Sequence, residues 1–316
     1  MSATRALRPG IALVLVTVLV SGISNFVNFK AVQGTDVDAW IAVRNAAVAG
    51  MLVPIAVLLS RGTRLRLRRT DWLRLAAIGL VGGAVPFLLY FHGFQLAAGE
   101  GGAATASLGY RSLFLVATVL GVLVLREKVP RRFAVAAGLL LGGNVLLLSL
   151  TGPVWTDGTA YVLLATVLWA AEYTLSKSAL KSLPSGTVAL GRMGFGAVFL
   201  VAYLGITGQA SSIAGFGSAD WMNLAVSALL LFAFVTTWYA GLKTVDLSVA
   251  SSMLVLAFPV TWCLSVVTAG RGVSVTQAAG AAAVVAGAGV LAGIAGLRGV
   301  WAPLARLARI RLVRGA

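Results

Sequence analysis

Apolar residues run through this chain in long blocks broken by short polar turns. A helix needs about 20 apolar residues to cross the ~30 Å hydrocarbon core of a bilayer. Ten blocks approach that length: Ile11–Phe29, Trp40–Leu59, Leu75–Leu96, Ala103–Leu125, Phe133–Leu150, Ala160–Ser176, Val188–Ile206, Trp221–Leu242, Ser248–Ala269 and Val275–Leu297. Many connections are too short to hold a soluble domain. The pattern predicts an all-α polytopic membrane protein of ten transmembrane helices. Gly79/Gly83, Gly138/Gly142 and Gly289/Gly293 are small-xxx-small pairs, expected to let helix backbones approach. The opening resembles a signal peptide, with Arg5 and Arg8 before an apolar run. That run continues into Asn25, Asn28 and Lys30 without a convincing cleavage site, so it reads as a retained first span.

Composition supports this picture. The chain is 59% hydrophobic and 11% charged, with a mean hydropathy of +0.96, against roughly 45–50% apolar and 25% charged for soluble domains. A single cysteine (Cys263) and a single histidine (His92) exclude a disulfide framework and most metal sites. No cofactor and no metal are expected. The net charge of +16 would point to nucleic acid in a soluble chain. Its distribution points elsewhere. Arg61, Arg64, Arg66, Arg68, Arg69 and Arg74, the turn with Arg126, Lys128, Arg131 and Arg132, and the arginines of the tail from Arg298 all fall on one side of a ten-span arrangement. Asp36, Asp38, Glu100, Asp157 and Asp220 fall on the other, with Arg271 as its one cation. The positive-inside rule then places both termini in the cytoplasm. The expected partners are the lipid bilayer and a small-molecule solute, not nucleic acid, with the chain a monomer or homodimer. In the tail, Leu304, Leu307 and Ile310 recur at helical spacing among arginines, as in a helix lying on an anionic leaflet or a short solvated tail.

The halves repeat. Lys30 and Lys177 are 147 residues apart, Arg44 and Arg192 148, Tyr90 and Tyr239 149, and Asp71-Trp72 and Asp220-Trp221 149. Residues 1–152 and 153–297 each hold five predicted spans, followed by a basic tail at 298–316. An odd number of spans per repeat makes the second copy enter the membrane from the opposite side. Such inverted repeats are the design of secondary transporters, with the substrate near the midplane between the copies.

Polar residues within the spans are the candidates for chemistry, since each charge costs roughly 2.5–3.5 kcal/mol to insert. Lys30, Arg44, Lys177 and Arg192 lie toward span ends, as interface anchors, helix-pairing residues or gates. Arg111 lies deeper, and Glu172 is the one acid inside a span, the natural counter-ion for Arg111 or Lys177. Trp169, Glu172, Tyr173 and Ser176 share a helical stripe, as do Ser21, Asn25 and Asn28. Phe87, Tyr90, Phe91 and Phe94 form an aromatic stripe beside His92, and Trp238 and Tyr239 hold the corresponding place in the second repeat. The expected substrate-binding set is therefore Asn25, Asn28, Tyr90, His92, Arg111, Trp169, Glu172, Tyr173, Trp238 and Tyr239. Aromatic walls with a few convergent polar groups suit a small amphipathic solute.

Several stretches carry a resemblance. Ser24-Asn25-Phe26-Val27-Asn28-Phe29-Lys30, Arg44, and Leu125-Arg126-Glu127-Lys128-Val129 followed by Gly138, with Leu168-Trp169-Ala170-Ala171 through Lys177, Arg192 and Phe258-Pro259-Val260, resemble the drug/metabolite transporter superfamily in its EamA-type branch. The resemblance covers nearly the whole chain and implies a permease for amino acids, other metabolites or drugs, frequently an exporter. Arg111 stands where the family usually has a proline, aligned with Pro259. Gly270-Arg271-Gly272 replaces the second glutamate turn. A lipid-handling or non-transporting scaffold is the alternative. A membrane enzyme is weaker, because no Asp-rich motif, H-E-x-x-H or catalytic dyad is present.

Overall fold

The computed structural model describes residues 3–31, 35–60, 67–150, 152–270 and 272–292, and every regular element among them is helical. Arg61, Arg64, Arg66, Arg271, the tail from Arg298 and the side chains of Arg5, Arg8 and Lys30 lie outside the described set. The first half comprises α1 (Ala3–Ala31), α2 (Val37–Ser60), and α3 (Arg69–Ile78), which runs through a π-helical turn (Gly79–Ala84) into α4 (Val85–Gly99). It continues with α5 (Ala103–Arg111), α6 (Leu113–Leu125) and α7 (Phe133–Leu147). The second half follows with α8 (Asp157–Ala179), α9 (Ser185–Thr207), a 3₁₀ turn (Gln209–Gly215), α10 (Ser218–Leu242), α11 (Leu247–Leu254), α12 (Ala257–Ala269) and α13 (Val275–Ala292).

Among the described residues seven segments are long and apolar enough to cross a membrane, and Phe133–Leu147 and Val275–Leu291 are shorter apolar helices. The sixth predicted block, Ala160–Ser176, lies within α8, whose Asp157, Glu172 and Lys177 dilute its hydropathy. Leu123, Ile206 and Val267 present 72%, 87% and 78% of their surface outward, which suits lipid rather than water as the surrounding solvent. The chain is a polytopic helical membrane protein.

The packing repeats with the sequence. Helix α1 packs on α10 and α12, and its counterpart α8 packs on α4 and α6; α2 packs on α9, and α7 on α13. The fourth block and its counterpart, the ninth, are each interrupted midway. Helix α5 gives way to α6 at Ser112 (φ −77°, ψ −2°), and α11 to α12 at residues 255–256. Pro259 sits in the first turn of α12, where its missing N–H removes no intrahelical bond.

Glycines mark the tightest crossings, only partly where the spacing places them. A Cβ on Gly83 would lie 2.4 Å from the Arg192 carbonyl oxygen, and one on Gly79 2.4 Å from Phe195 Cβ, so this pair packs as expected. Gly138 and Gly142 have nothing within 4 Å of such a Cβ; the close approach on α7 is made by Gly143, against the Gly280 carbonyl. The motif gives spacing but not which face of the helix meets a neighbour. Gly293 lies outside the described residues.

One end of the bundle joins the repeats electrostatically. Helix α6 closes on Arg126 in the left-handed region (φ 58°), and α12 on Gly270 at the same angle. The residue after Arg126 is Glu127, whose carboxylate accepts from the Leu247 N–H at 2.7 Å and the Ser248 N–H at 3.1 Å. It thus caps α11 of the other repeat, using unpaired first-turn amides and the positive helix end. The turn at Gly270-Arg271-Gly272 carries no acid to do the same for α5. Glu127→Ala is expected to cost about 1–2 kcal/mol, read as a fall in melting temperature, with Glu127→Gln closer to wild type. Beside it, burial and the Glu127 charge push the Asp246 carboxyl above its ordinary range, against the opposing pull of Lys177. A raised folded value means this group supports the fold below its unfolded pKa of ~3.9 and withdraws that support as pH rises through the folded value. Asp246→Asn is therefore expected to flatten the stability profile just above pH ~4, measured by thermal unfolding across pH.

Candidate functional site

A cavity of about 90 Å³ lies where the two repeats meet, and residues from both line it. Helix α1 contributes Ser21, Ser24, Asn25 and Asn28; α2 contributes Arg44; α4 and α5 contribute Phe87, Tyr90, Phe91 and Tyr110. From the second repeat come Trp169, Tyr173, Arg192, Leu231 and Phe234. The aromatic wall is continuous: Trp169 lies 5.3–5.4 Å, ring centre to ring centre, from each of Phe87, Tyr90 and Tyr110. A smaller recess, sharing Ser21, Asn25 and Tyr110, reaches the two helix interruptions and is lined by Arg111, Val255 and Phe258.

A local backbone irregularity holds the charged side of the cavity. The glycine-rich π turn is followed by Pro86, which has no N–H to return to the preceding turn. The Gly82 carbonyl, four residues before Pro86, is left for other donors. The Gly82 carbonyl accepts from Trp169 Nε1 and Arg192 Nη2, each at 3.2 Å, and the Gly83 carbonyl accepts from Asn45 Nδ2 at 2.9 Å. Glycine leaves room for the Glu172 side chain against this turn, since a Cβ on Gly82 would fall 2.1 Å from Glu172 Cγ.

Glu172 is fully buried behind the wall. Its Oε1 accepts from Ser176 Oγ at 2.5 Å and Tyr239 Oη at 2.6 Å, and its Oε2 stands 3.8 Å from Arg192 Nε. Arg44 is 1% exposed. Its guanidinium lies over the rings of Trp40 and Phe87 at 4.8 and 5.0 Å and donates to Asn45 Oδ1 at 3.3–3.4 Å. Among the described residues the wall presents two arginines and no acid.

The EamA-like transporter family matches the chain twice, over residues 8–149 and 157–293. The chain belongs to the EamA-like transporter family. A protein of known crystal structure, 20% identical, superimposes with a TM-score of 0.71 over 92% of this chain and 98% of its own length, a likeness of fold. No curated protein matches the sequence.

Within this EamA-like fold the expected site residues separate into groups. Asn25, Asn28, Tyr90, Trp169 and Tyr173 line the cavity. Glu172, Trp238 and Tyr239 do not: each is fully buried, with Trp238 against Tyr173 (4.7 Å between ring centres) and Tyr239 on Glu172. His92 lies elsewhere, its Nε2 2.8 Å from Asp38 Oδ1, a carboxylate that also accepts from Tyr203 Oη. Arg111 borders the recess, donating to Asn144 Oδ1 at 2.7 Å with its guanidinium 4.3 Å from the centre of the Phe258 ring. The partner of Glu172 is thus Arg192, not Arg111 or Lys177. Lys177 instead donates to the Leu242 and Val245 carbonyls at 2.7 and 2.8 Å, closing α10. Arg44 and Arg192, expected toward the span ends, face the cavity. Tyr110, Asn45 and Asn144 were not singled out by the pattern, and only the adjacency of Tyr110 to Arg111 could have drawn notice.

Proposed function

We propose that the chain is a ten-span secondary transporter of the bacterial inner membrane, built as two inverted repeats with cytoplasmic termini. It exports a small amphipathic metabolite, an amino acid or a related compound, by alternating access. The observation that carries this reading is one cavity lined by both repeats beside the interruptions of two corresponding helices. Broken helices at a repeat interface are where secondary transporters bind solutes, because freed backbone groups and helix ends supply polar contacts at membrane depth. Exchange of conformations between the two copies opens the same cavity first to one side and then to the other. Moving one charge through 100 mV is worth ~2.3 kcal/mol, so an inside-negative membrane potential can drive an anionic solute outward.

Reconstitution in liposomes with a metabolite panel tests this, with and without a pH gradient. Flux of at least one solute above protein-free vesicles is the expected result. Equal flux in loaded and protein-free vesicles for every solute overturns the reading and favours a scaffold.

A further inference from the structure

The two repeats carry the same three positions with one difference. In the second repeat Tyr239, Glu172 and Arg192 form a closed cluster, 2.6 Å from tyrosine hydroxyl to carboxylate and 3.8 Å from carboxylate to guanidinium. Repeat offsets of 149, 147 and 148 residues carry these onto Tyr90, Asn25 and Arg44. All three counterparts line the cavity. Where the second repeat has a carboxylate, the first has the neutral amide of Asn25. Among the described residues no carboxylate pairs with Arg44; its acceptor is the amide oxygen of Asn45. Arg44 and Arg192 set against Glu172 leave one uncompensated positive charge at the wall. A buried charge in a membrane protein is costly without a partner, and an arginine stays protonated.

We infer that the solute is a small organic monocarboxylate, whose carboxylate takes beside Arg44 the place that Glu172 takes beside Arg192. This rests on the transport reading above and narrows the solute of the same cavity from an amino acid or related compound to the related acid without the amine. Asn25 and Tyr90 can donate hydrogen bonds to the carboxylate, as Tyr239 does to Glu172. The rings of Phe87 and Trp169 take the apolar part. The volume of about 90 Å³ sets the scale at a few carbons. Among the described residues a free ammonium group meets two cations and no acid on this wall, so amines and amino acids bind less well than the matching acid.

The test is solute-dependent thermal stabilisation of the purified protein by isovalerate, with isovaleramide, isopentylamine and valine as neutral, cationic and zwitterionic relatives. Wild type is expected to respond to isovalerate at a concentration at least about tenfold lower than to the others, the margin of a charge-assisted hydrogen bond. Asn25→Asp supplies Arg44 with its own acid. It should raise the melting temperature of the solute-free protein and abolish the isovalerate response, while Asn25→Gln keeps the response. Arg44→Gln should also abolish it, independently of how Asn25→Asp folds. An isovalerate response that survives both Asn25→Asp and Arg44→Gln overturns the inference, as does equal stabilisation by the amide, the amine or valine. Absence of any response to isovalerate overturns it too. Flux of another solute in the liposome assay then leaves the transport reading standing, whereas absence of all flux removes both.

Discussion

Glu172→Ala is expected to destabilise the protein by about 3–5 kcal/mol, the usual cost of removing one partner of a buried ion pair. The acid is fully buried, and its Oε1 is the acceptor for both Ser176 and Tyr239. Without it Arg192, 3% exposed, loses its counter-charge and keeps the Gly82 carbonyl as an acceptor at 3.2 Å. Two hydroxyls lose their acceptor at the same time. Most of the loss is the cost of the stranded charge rather than the worth of the pair, and that distinction is measurable. Glu172→Gln/Arg192→Gln removes both charges and is expected to recover most of the stability, because neutral replacement of a whole buried pair is often nearly free. It should not recover transport, since Arg192 lines the cavity. Unfolding of the purified single and double variants gives the coupling energy. A Glu172→Ala protein within 1 kcal/mol of wild type, the scale of a solvent-exposed pair, would show that Arg192 needs no counter-charge.

Axial position was legible in the sequence; facing was not. The length of the apolar blocks locates the helices, and the repeat offsets make α8 the counterpart of α1, which packs on α10 and α12 as α8 packs on α4 and α6. Arg44 and Arg192 illustrate what is lost. Their depth along the span suggests anchors, yet both turn inward. The local cause at Arg192 is a carbonyl freed 110 residues earlier by the π turn and Pro86, and no spacing within α9 reports that. Glu172 was legible as a buried acid in need of a cation. Its choice of Arg192 over Arg111 or Lys177 depends on α9 lying against the π turn, which is a tertiary fact. The interruption at Ser112 carries no proline, and its counterpart at residues 255–256 precedes Pro259 by one turn. The Glu127 cap was visible only as a motif. Its target, α11, lies 120 residues away.

Gly83→Ala is the second large effect expected, because nothing soft surrounds the added methyl. Its Cβ would fall 2.4 Å from the Arg192 carbonyl oxygen and 3.0 Å from Gly196 Cα, both main-chain atoms, so no rotamer change can relieve it. Gly196 faces the same constraint in reverse, with a Cβ 2.8 Å from Gly83 main-chain atoms. Helix α9 must move off the π turn. Overpacking of this kind costs about 1–3 kcal/mol. The displacement also stretches the Arg192 bond to Gly82 and the Asn45 bond to Gly83, each worth about 0.5–1.5 kcal/mol. Together these place the loss at roughly 2–6 kcal/mol, enough to unfold a marginally stable protein. Gly82→Ala differs in kind. Its Cβ meets the Glu172 side chain, which can rotate away at the expense of its bonds to Ser176 and Tyr239. Gly142→Ala is the control, with open space around the new methyl. There the gain in helix propensity predicts no loss, and up to about 1 kcal/mol of added stability. Unfolding of the three variants side by side separates the cases. Equal stability of Gly83→Ala and Gly142→Ala would mean that α9 and the π turn do not touch backbone to backbone, and that Arg192 is held over the cavity by something other than this crossing.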